Sequence, residues 1–207
     1  MCIRDRVEQA SIETASEMRA TGSHWTFAPN IDLARDARWG RVGETFGEDT
    51  HLVGEMGVAM VRGLQQGDFS SRNAVVANAK HWVAGGEPLT GINLSPMDVS
   101  IRTLYEDFFP PFKKAIDAGV FTFMAAHNEI NGEPAHGSHF LLTEVLRDNW
   151  KFEGFVVSDW MDVSRLHTFH KVAKTPEDAV FQTVDAGMDM NMHCLLYTSD
   201  AADEAIG

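Results

Sequence analysis

The chain has 207 residues, of which 44% are hydrophobic, and carries a formal net charge of −13 at pH 7. This size and hydrophobic fraction predict one globular unit with a sizeable core. The acidic balance argues against nucleic-acid binding, which depends on Lys and Arg neutralising phosphates. No apolar run approaches the roughly 18 residues of a membrane span. Cys2 and Cys194 lie near opposite ends without metal-site spacing, so we expect no disulfide framework, no metal and no cofactor.

The two terminal strings differ in pattern from the residues that they adjoin. Residues 1–6 ("MCIRDR") and 194–207 ("CLLYTSDAADEAIG") share no hydrophobic period with the sequence between them. Both resemble translated sequencing-adapter readthrough, so we expect them to be non-native tails around a partial domain at residues 7–193. The native N-terminus would then be missing, which leaves the localisation unknown. We expect a periplasmic or secreted parent protein rather than a cytoplasmic one.

Between these ends, short apolar runs alternate with helical patterns. In chain order, the patterns predict a helix over most of 7–20, a strand at 24–29, a helix over most of 51–66, a strand at 74–80, a helix at 100–119, a strand at 120–127, a helix at 138–150, a strand at 154–159, a helix at 175–185 and a strand at 187–192. Ser100 and Thr175 are suitable N-caps, and Pro110 and Pro111 should kink or split their helix. The alternation predicts an α/β fold with a parallel sheet.

The positions of polar residues separate two architectures that such a sheet allows. Polar side chains follow the predicted strands at their carboxyl ends, where barrel enzymes assemble their active sites; they are Asn30, Asp32, Lys80, His81, His127, Asn128 and Asp159. No glycine-rich phosphate loop follows a strand, which weakens the doubly wound alternative. We therefore predict a partial (β/α)₈ TIM-type barrel in which five of the eight strands are present.

The carboxylate at the end of "GFVVSDW" is the strongest catalytic candidate. Alone, Asp159 could be the N-cap of a short helix through Leu166, and Trp160 could be a core aromatic residue. A carboxylate combined with an aromatic face, the Lys80–His81 pair and an arginine could instead bind a neutral polyhydroxylated ring. The carboxylate would then attack the anomeric carbon. This combination predicts a sugar site.

Four spaced motifs carry a family resemblance. The motifs "FAPNIDLARDARWGRVGETFGED", "VVANAKHWVAGGE", "FMAAHNEINGEP" and "GFVVSDWMDVSRL" resemble, in this order, those of the N-terminal barrel domain of glycoside hydrolase family 3. The resemblance implies retaining hydrolysis of β-linked glucosides or related glycosides, with an oligosaccharide or aryl β-glycoside as the substrate. It places Asp159 at the catalytic nucleophile. The implied sugar-binding positions are Arg41, Lys80, His81, His127, Trp160 and Arg165.

Two departures from the family pattern affect the implied roles. His127 in "AHN" stands where many members have a tyrosine beside the nucleophile, and the loop "WVAGGEP" lacks the second histidine of the family's N-acetylglucosaminidases. The departures point to the subgroup whose acid/base carboxylate comes from another domain, so we expect a missing C-terminal domain to supply it. Glu87 is the nearest substitute within the chain.

Other readings are weaker. Lys80 could be the Schiff-base lysine of a barrel aldolase, which would need an apolar pocket to lower its pKa. The chain could also be an inactive truncated fragment. We interpret four charged residues as a network that braces a loop: Asp32, Arg35, Asp36 and Arg38. Glu44 is interpreted as an acid placed for the coming helix. His136 and His139 flank a turn without a third metal ligand nearby.

Overall fold

A computed structural model describes residues 2–67 and 69–193. Cys194 and the predicted tail at 194–207 lie outside these residues. The helices of the described chain are α1 (Ile3–Ala20), α2 (Thr50–Gln65), α3 (Ile101–Thr103), α4 (Phe109–Asp117), α5 (Asp162–Thr168) and α6 (Pro176–Ala186), with π-helical segments at Leu104–Phe108 and Phe140–Asn149 and 3₁₀ turns at Val42–Glu44 and Ala135–Gly137. The strands are β1 (Asn78–Trp82), β2 (Thr122–Ala125), β3 (Glu129–Ile130), β4 (Glu133–Pro134) and β5 (Phe155–Val157).

The predicted helices are observed as helical segments, but their ends differ and the one expected at 138–150 is π-helical at Phe140–Asn149. Helix α1 begins at Ile3 rather than near residue 7, and Arg4 forms an ion pair with Glu55 of α2 at 3.2 Å. The interruption expected at Pro110 and Pro111 is observed as a change of helix type, because the π-helical segment directly precedes α4 and its early prolines. Prolines are tolerated there because the first turn of a helix does not use their missing N–H groups.

The main sheet is parallel and its strands follow one another in chain order. Strand β1 pairs with β2, and β2 pairs with β5, both in parallel. The predicted strands at 24–29 and 187–192 are too long; parallel bridges join Trp25 to Val76 on the β1 side and Val157 to Met190 on the β5 side. Sequential order without reversal is the topology of a barrel, whereas a doubly wound sheet reverses at a switch point.

A hairpin that the sequence analysis did not predict follows β2. Strands β3 and β4 pair in antiparallel fashion across Asn131 and Gly132, which both have positive φ angles, 53° and 87°. An Asn-Gly pair with two positive φ values is the preferred two-residue hairpin connection. The hairpin diverts the chain after β2 before it returns to the barrel layer.

The core lies between the sheet and its helices. Trp82 of β1 is fully buried and packs against the rings of Phe109, Phe112 and Phe123 at centroid distances of 5.0, 5.1 and 6.0 Å. Its indole N–H donates a hydrogen bond to the carbonyl of Leu141 at 3.3 Å. This packing anchors the end of β1 and thereby the polar residues beside it.

Candidate active site

Polar side chains gather at the carboxyl ends of the three paired strands. Lys80 and His81 lie within β1 rather than after it, because the strand continues to Trp82. His127 follows the last residue of β2 by two positions, and Asp159 follows the last residue of β5 by two. Adjacent parallel strands end at the same edge of the sheet, so these residues reach one place.

Asp159 is the centre of this cluster. It is 8% exposed, and its Oδ2 lies 2.9 Å from Nε2 of His127 and 3.5 Å from Nε2 of His81. Its Oδ1 accepts the backbone N–H of Trp160 at 2.6 Å, and its own backbone N–H donates to Nε2 of His136 at 2.9 Å. Asp159 is therefore not a helix cap: α5 begins at Asp162 after Met161, and the carboxylate faces the imidazoles.

Each imidazole is held from behind by a second, buried carboxylate. Nδ1 of His81 lies 2.7 Å from Oδ2 of Asp32, and Nδ1 of His127 lies 2.6 Å from Oδ2 of Asp162. Asp32 is 2% exposed and Asp162 is 1% exposed. Two carboxylate–imidazole pairs thus converge on the same oxygen of Asp159, with His127 at hydrogen-bond distance and His81 farther away.

The charges in this cluster determine its protonation. Burial raises the pKa of the Asp159 carboxyl, but its hydrogen bond and electrostatic interaction with His127, together with His81 and the Trp160 N–H, hold that pKa well below its usual range. Burial lowers the pKa of His127, but its bonds to Asp159 and Asp162 outweigh burial and raise that pKa to about 9. At neutral pH the site therefore contains an ionised Asp159 beside an imidazolium.

Lys80 and Arg41 add positive charge near the carboxylate. Burial and the neighbouring Arg41 lower the pKa of Lys80, while Glu44, Asp159 and Asp32 oppose this shift. Arg41 donates to both carboxylate oxygens of Glu44, from Nε at 2.9 Å and from Nη2 at 2.8 Å. These bonds help to lower the pKa of Glu44 to about 2. The interpretation of Glu44 as an acid placed for the coming helix is wrong, because Glu44 ends the 3₁₀ turn at Val42–Glu44, six residues before α2 begins at Thr50. Its carboxylate instead holds Arg41.

Trp160 and Arg165 occupy the outer side of the cluster. Trp160 is 54% exposed, and its ring meets that of His193 edge-on at 4.6 Å. Arg165 donates from Nη1 to Oδ1 of Asp162 at 2.5 Å and to the carbonyl of Trp160 at 3.1 Å. The indole face is thus available to a ligand, whereas the guanidinium of Arg165 also supports Asp162.

Three residues of the cluster were missed or misread from the sequence. Asp32 does not belong with the loop-bracing pair Asp36–Arg38, which is bound at 2.6 Å on the surface; it is buried behind His81. Asp162 was not considered, although it is an acid only three positions after Asp159. His136, interpreted as a turn residue, is 2% exposed and accepts the Asp159 N–H.

One group of potential metal ligands coincides with this cluster. The ligand atoms of His127, Asp159 and Asp162 lie within 4.8 Å of one another. Both ring nitrogens of His127 already lie at hydrogen-bond distance from a carboxylate oxygen. We therefore assign these atoms to hydrogen bonds.

A cleft of about 580 Å³ lies elsewhere on the domain, and no residue of the Asp159 cluster lines it. Its lining residues are Arg35, Glu48, Asp49, Thr50, His51, Glu106, Asp107, Pro110 and Lys114. Oppositely charged side chains pair within it, including Arg35 with Asp107 at 2.6 Å. Because this cleft lies apart from Asp159, and Arg35, Asp107 and Lys114 in its lining are already ion-paired, we do not place the chemistry there.

The chain is similar to proteins named as β-xylosidases and β-glucosidases. The chain is 43% identical over 191 residues to a β-xylosidase of Formosa agariphila, covering 90% of the chain and 26% of that protein. It is 40% identical over 188 residues to the periplasmic β-glucosidase of Salmonella typhimurium, covering 91% and 24%. The solved structure of a β-glucosidase from Erythrobacter marinus superimposes with a TM-score of 0.88 at 41% identity, covering 91% of this chain and 25% of that one.

The chain thus spans about a quarter of the length of the curated relatives it matches. The sequence model described as the glycosyl hydrolase family 3 N terminal domain matches residues 2–206. The sequential parallel sheet also agrees with the barrel fold of that domain. The chain belongs to glycosyl hydrolase family 3, as part of its N-terminal domain.

Proposed function

We propose that the protein containing this chain hydrolyses β-glucosides or related β-glycosides, such as β-xylosides, with retention of configuration, and that Asp159 is the nucleophile. The observation that carries the proposal is the ionised carboxylate at the end of β5, held by His127 at 2.9 Å and surrounded by Lys80, His81 and Arg41. Names among the relatives include both β-xylosidase and β-glucosidase. None of the relatives named above is an aldolase, so the Schiff-base alternative for Lys80 has no support.

In the first chemical step, an oxygen of Asp159 forms a bond to the anomeric carbon while the bond to the leaving oxygen breaks. A carboxylic acid donates its proton to that oxygen. In the second step the acid/base group, now a carboxylate, takes a proton from a water molecule. This water attacks the anomeric carbon of the glycosyl ester, and the bond to Asp159 breaks. Lys80, His81 and Arg41 would hold the sugar hydroxyls, and Trp160 and Arg165 would border the leaving group. His127, expected from the sequence to bind the sugar, has both ring nitrogens at carboxylate oxygens and would instead hold the nucleophile.

The acid/base group of this reaction is proposed to come from a C-terminal domain outside this chain. Among the described residues, Asp32 and Asp162 are the other carboxylates of the cluster, but both are buried and bound to histidines. A periplasmic or secreted location is also a proposal, supported by the name of the Salmonella relative. No helix among the described residues is both long and apolar enough to cross a membrane.

The experiment is the substitution Asp159→Ala in the complete protein. Loss of the nucleophile should reduce turnover of an aryl β-glucoside by at least about 10⁴-fold, since the covalent pathway is removed. Added azide should restore part of the rate by attacking the anomeric carbon directly, which gives a glycosyl azide of inverted configuration. Glu129→Gln, which removes a carboxylate outside the cluster, is the control. Full activity of Asp159→Ala would overturn the assignment.

A further inference from the structure

A single imidazole joins Asp159 to a second carboxylate that solvent does not reach. The ring of His127 lies between Oδ2 of Asp159, 2.9 Å from its Nε2, and Oδ2 of Asp162, 2.6 Å from its Nδ1. Asp162 is 1% exposed, and its other oxygen accepts a hydrogen bond from Arg165 at 2.5 Å. A ligand at the strand ends would therefore meet Asp159 but not Asp162.

Hydrogen-bond chemistry fixes the state of this ring. An ionised carboxylate only accepts hydrogen bonds, so an imidazole bonded to two of them must carry a proton on both nitrogens. Burial raises the pKa of Asp162, but its hydrogen bonds from His127 and Arg165 and the charge of His127 prevail and lower that pKa, which keeps this carboxylate ionised. His127 then has one orientation and one protonation state.

The surrounding groups are consistent with a protonated ring. The charged and titratable groups that face His127 come from β1, the 3₁₀ turn at Ala135–Gly137, the end of β5 and α5, and they are His81, His136, Asp159, Asp162 and Arg165. Burial lowers the pKa of His136, and its Nε2 accepts the Asp159 N–H, so this ring is neutral. His81 stacks at a ring distance of 6.0 Å. The two carboxylates are therefore the nearest compensating charges.

We propose that Asp162 is a positioning residue for the nucleophile: by holding His127 as a doubly hydrogen-bonded imidazolium, it orients Asp159 and sets the reactivity of that carboxylate. The proposal rests on the proposed function, in which Asp159 attacks the anomeric carbon. The Asp32–His81 pair is not equivalent, because His81 lies 3.5 Å from Asp159, beyond a short hydrogen bond.

The test measures the glycosylation step alone in the complete protein. The probe is a 2,4-dinitrophenyl 2-deoxy-2-fluoro-β-glucoside: Asp159 forms the bond to the anomeric carbon, and dinitrophenolate leaves as an anion without a proton. Asp162→Asn should slow this covalent labelling on the order of 10- to 100-fold, by analogy with the loss of the carboxylate behind a metal-binding histidine. The labelling rate should fall at high pH as the His127 imidazolium loses its proton; we call this fall the alkaline limb. In Asp162→Asn the alkaline limb should move to lower pH, because the imidazolium loses a compensating negative charge.

Three further variants separate positioning from general stability. Glu129→Gln removes the carboxylate of another pair, with His170 at 3.3 Å, and should leave the rate and its pH profile unchanged. His127→Gln should remove the alkaline limb, and the double variant His127→Gln with Asp162→Asn should label no more slowly than His127→Gln alone. If thermal melting shows that Asp162→Asn does not fold, the missing alkaline limb in His127→Gln decides the matter.

The outcomes distinguish the two proposals. Labelling of Asp159 at an unchanged rate and pH profile in Asp162→Asn would overturn the role of Asp162 alone. The role of Asp162 would also be overturned if the double variant labelled more slowly than His127→Gln by the full factor seen in Asp162→Asn. An alkaline limb that persists in His127→Gln would overturn it as well. Mass spectrometry that finds the label on a residue other than Asp159 would overturn the assignment of the nucleophile, and the positioning role with it.

Discussion

His127 connects the chemistry of the site to the stability of the fold. Although burial opposes the charge, the bonds to Asp159 and Asp162 raise the pKa of this ring from 6.5 to about 9. A group with a raised folded-state pKa binds its proton more tightly in the folded protein. Its contribution to the free energy of unfolding is therefore fully present below about pH 6.5 and is lost as the pH rises through about 9.

This linkage predicts a difference between two proteins. The free energy of unfolding should fall more steeply between about pH 6.5 and about 9 in the wild type than in His127→Gln, whose side chain does not titrate. Urea denaturation across this range measures both curves. The difference between the curves isolates His127 from the other groups that titrate. Parallel curves would contradict an imidazolium at this position.

At the scale of residues, the sequence identified the candidate chemical groups but not the buried side chains that hold them in place. Asp159, Lys80 and His81 could be singled out because unusual polar side chains follow apolar runs. Their partners could not, because the contacts cross long separations: Asp32 and His81 are 49 residues apart, and His127 and Asp162 are 35 apart. The sequence alone does not distinguish a buried carboxylate behind a histidine from an acid on the surface.

At the scale of elements, the places of the main helical segments and main strands were predictable, whereas the π-helical type of Leu104–Phe108 and Phe140–Asn149 was not, and the boundaries depended on tertiary contacts. The sequence pattern ended a strand at Lys80, but β1 runs on to Trp82 because this indole is buried among aromatic rings of α4 and β2. The β3–β4 hairpin was missed although Asn131-Gly132 is a strong turn pair. Its strands are two residues each, too short for an alternating pattern.

The packing of α1 on α2 supplies a test at this scale. A Cβ on Gly63 of α2 would lie 2.4 Å from the backbone oxygen of Glu8 and 2.6 Å from Cβ of Ser11. Although alanine favours a helix over glycine by about 1 kcal/mol, Gly63→Ala should destabilise the protein by about 1 to 3 kcal/mol, because α1 has to move away. Denaturant unfolding measures this loss.

Gly54 of the same helix is the matched control. A Cβ there would meet chiefly the flexible Lys114 side chain, whose Cδ lies at 2.8 Å and can turn aside. Gly54→Ala should therefore change the free energy of unfolding by no more than about 1 kcal/mol, and any increase would come from the higher helix propensity of alanine. Equal destabilisation by both substitutions would show that the close approach of α1 is not the cause.

At the scale of the whole molecule, the barrel assignment follows from sheet order. The alternation of strands and helices left two architectures open, and the polar residues at strand ends favoured one of them. The structure supplies the missing information, since β1, β2 and β5 are neighbours in sequence order and the bridges of Trp25 and Met190 extend that order on both sides. Order between strands is a property of long-range pairing, which local patterns do not encode.

The described part of this barrel presents an open side. Helix α6 exposes Phe181 at 69% and Val184 at 63%, three positions apart on one face. Within residues 2–67 and 69–193, the bridged segments at Trp25 and Met190 do not pair with each other to close the sheet. Unpaired edges and uncovered apolar side chains favour association. Positioning of the reacting groups should therefore be weaker in the isolated chain than in the complete protein.

The catalytic requirements lead to the last prediction, that this 207-residue chain alone does not hydrolyse natural β-glucosides. General acid catalysis needs a carboxyl that still holds its proton near the working pH. Asp162 is close to Asp159 but stays ionised and buried, and Asp32 is bound to His81 beneath the surface. The side chain of Glu87 is 41% exposed, but its carboxylate pairs with Arg35 at 3.2 Å. None of the three is placed to protonate a leaving oxygen.

Two substrates test this prediction because they differ in their need for the acid. Cellobiose has a poor leaving group that requires a proton, so the purified chain should not cleave it, and losing general acid catalysis alone costs about 10² to 10⁴ in rate. The dinitrophenolate of a dinitrophenyl β-glucoside leaves without protonation. A folded chain should therefore release a trace of dinitrophenolate, and Asp159→Ala should release none. A cooperative thermal melt establishes that the chain tested is folded. Steady hydrolysis of cellobiose that depends on Asp159 would mean that the chain contains its own acid, and Glu87→Gln would then be the first variant to examine, because Glu87 has the most exposed carboxylate of the three.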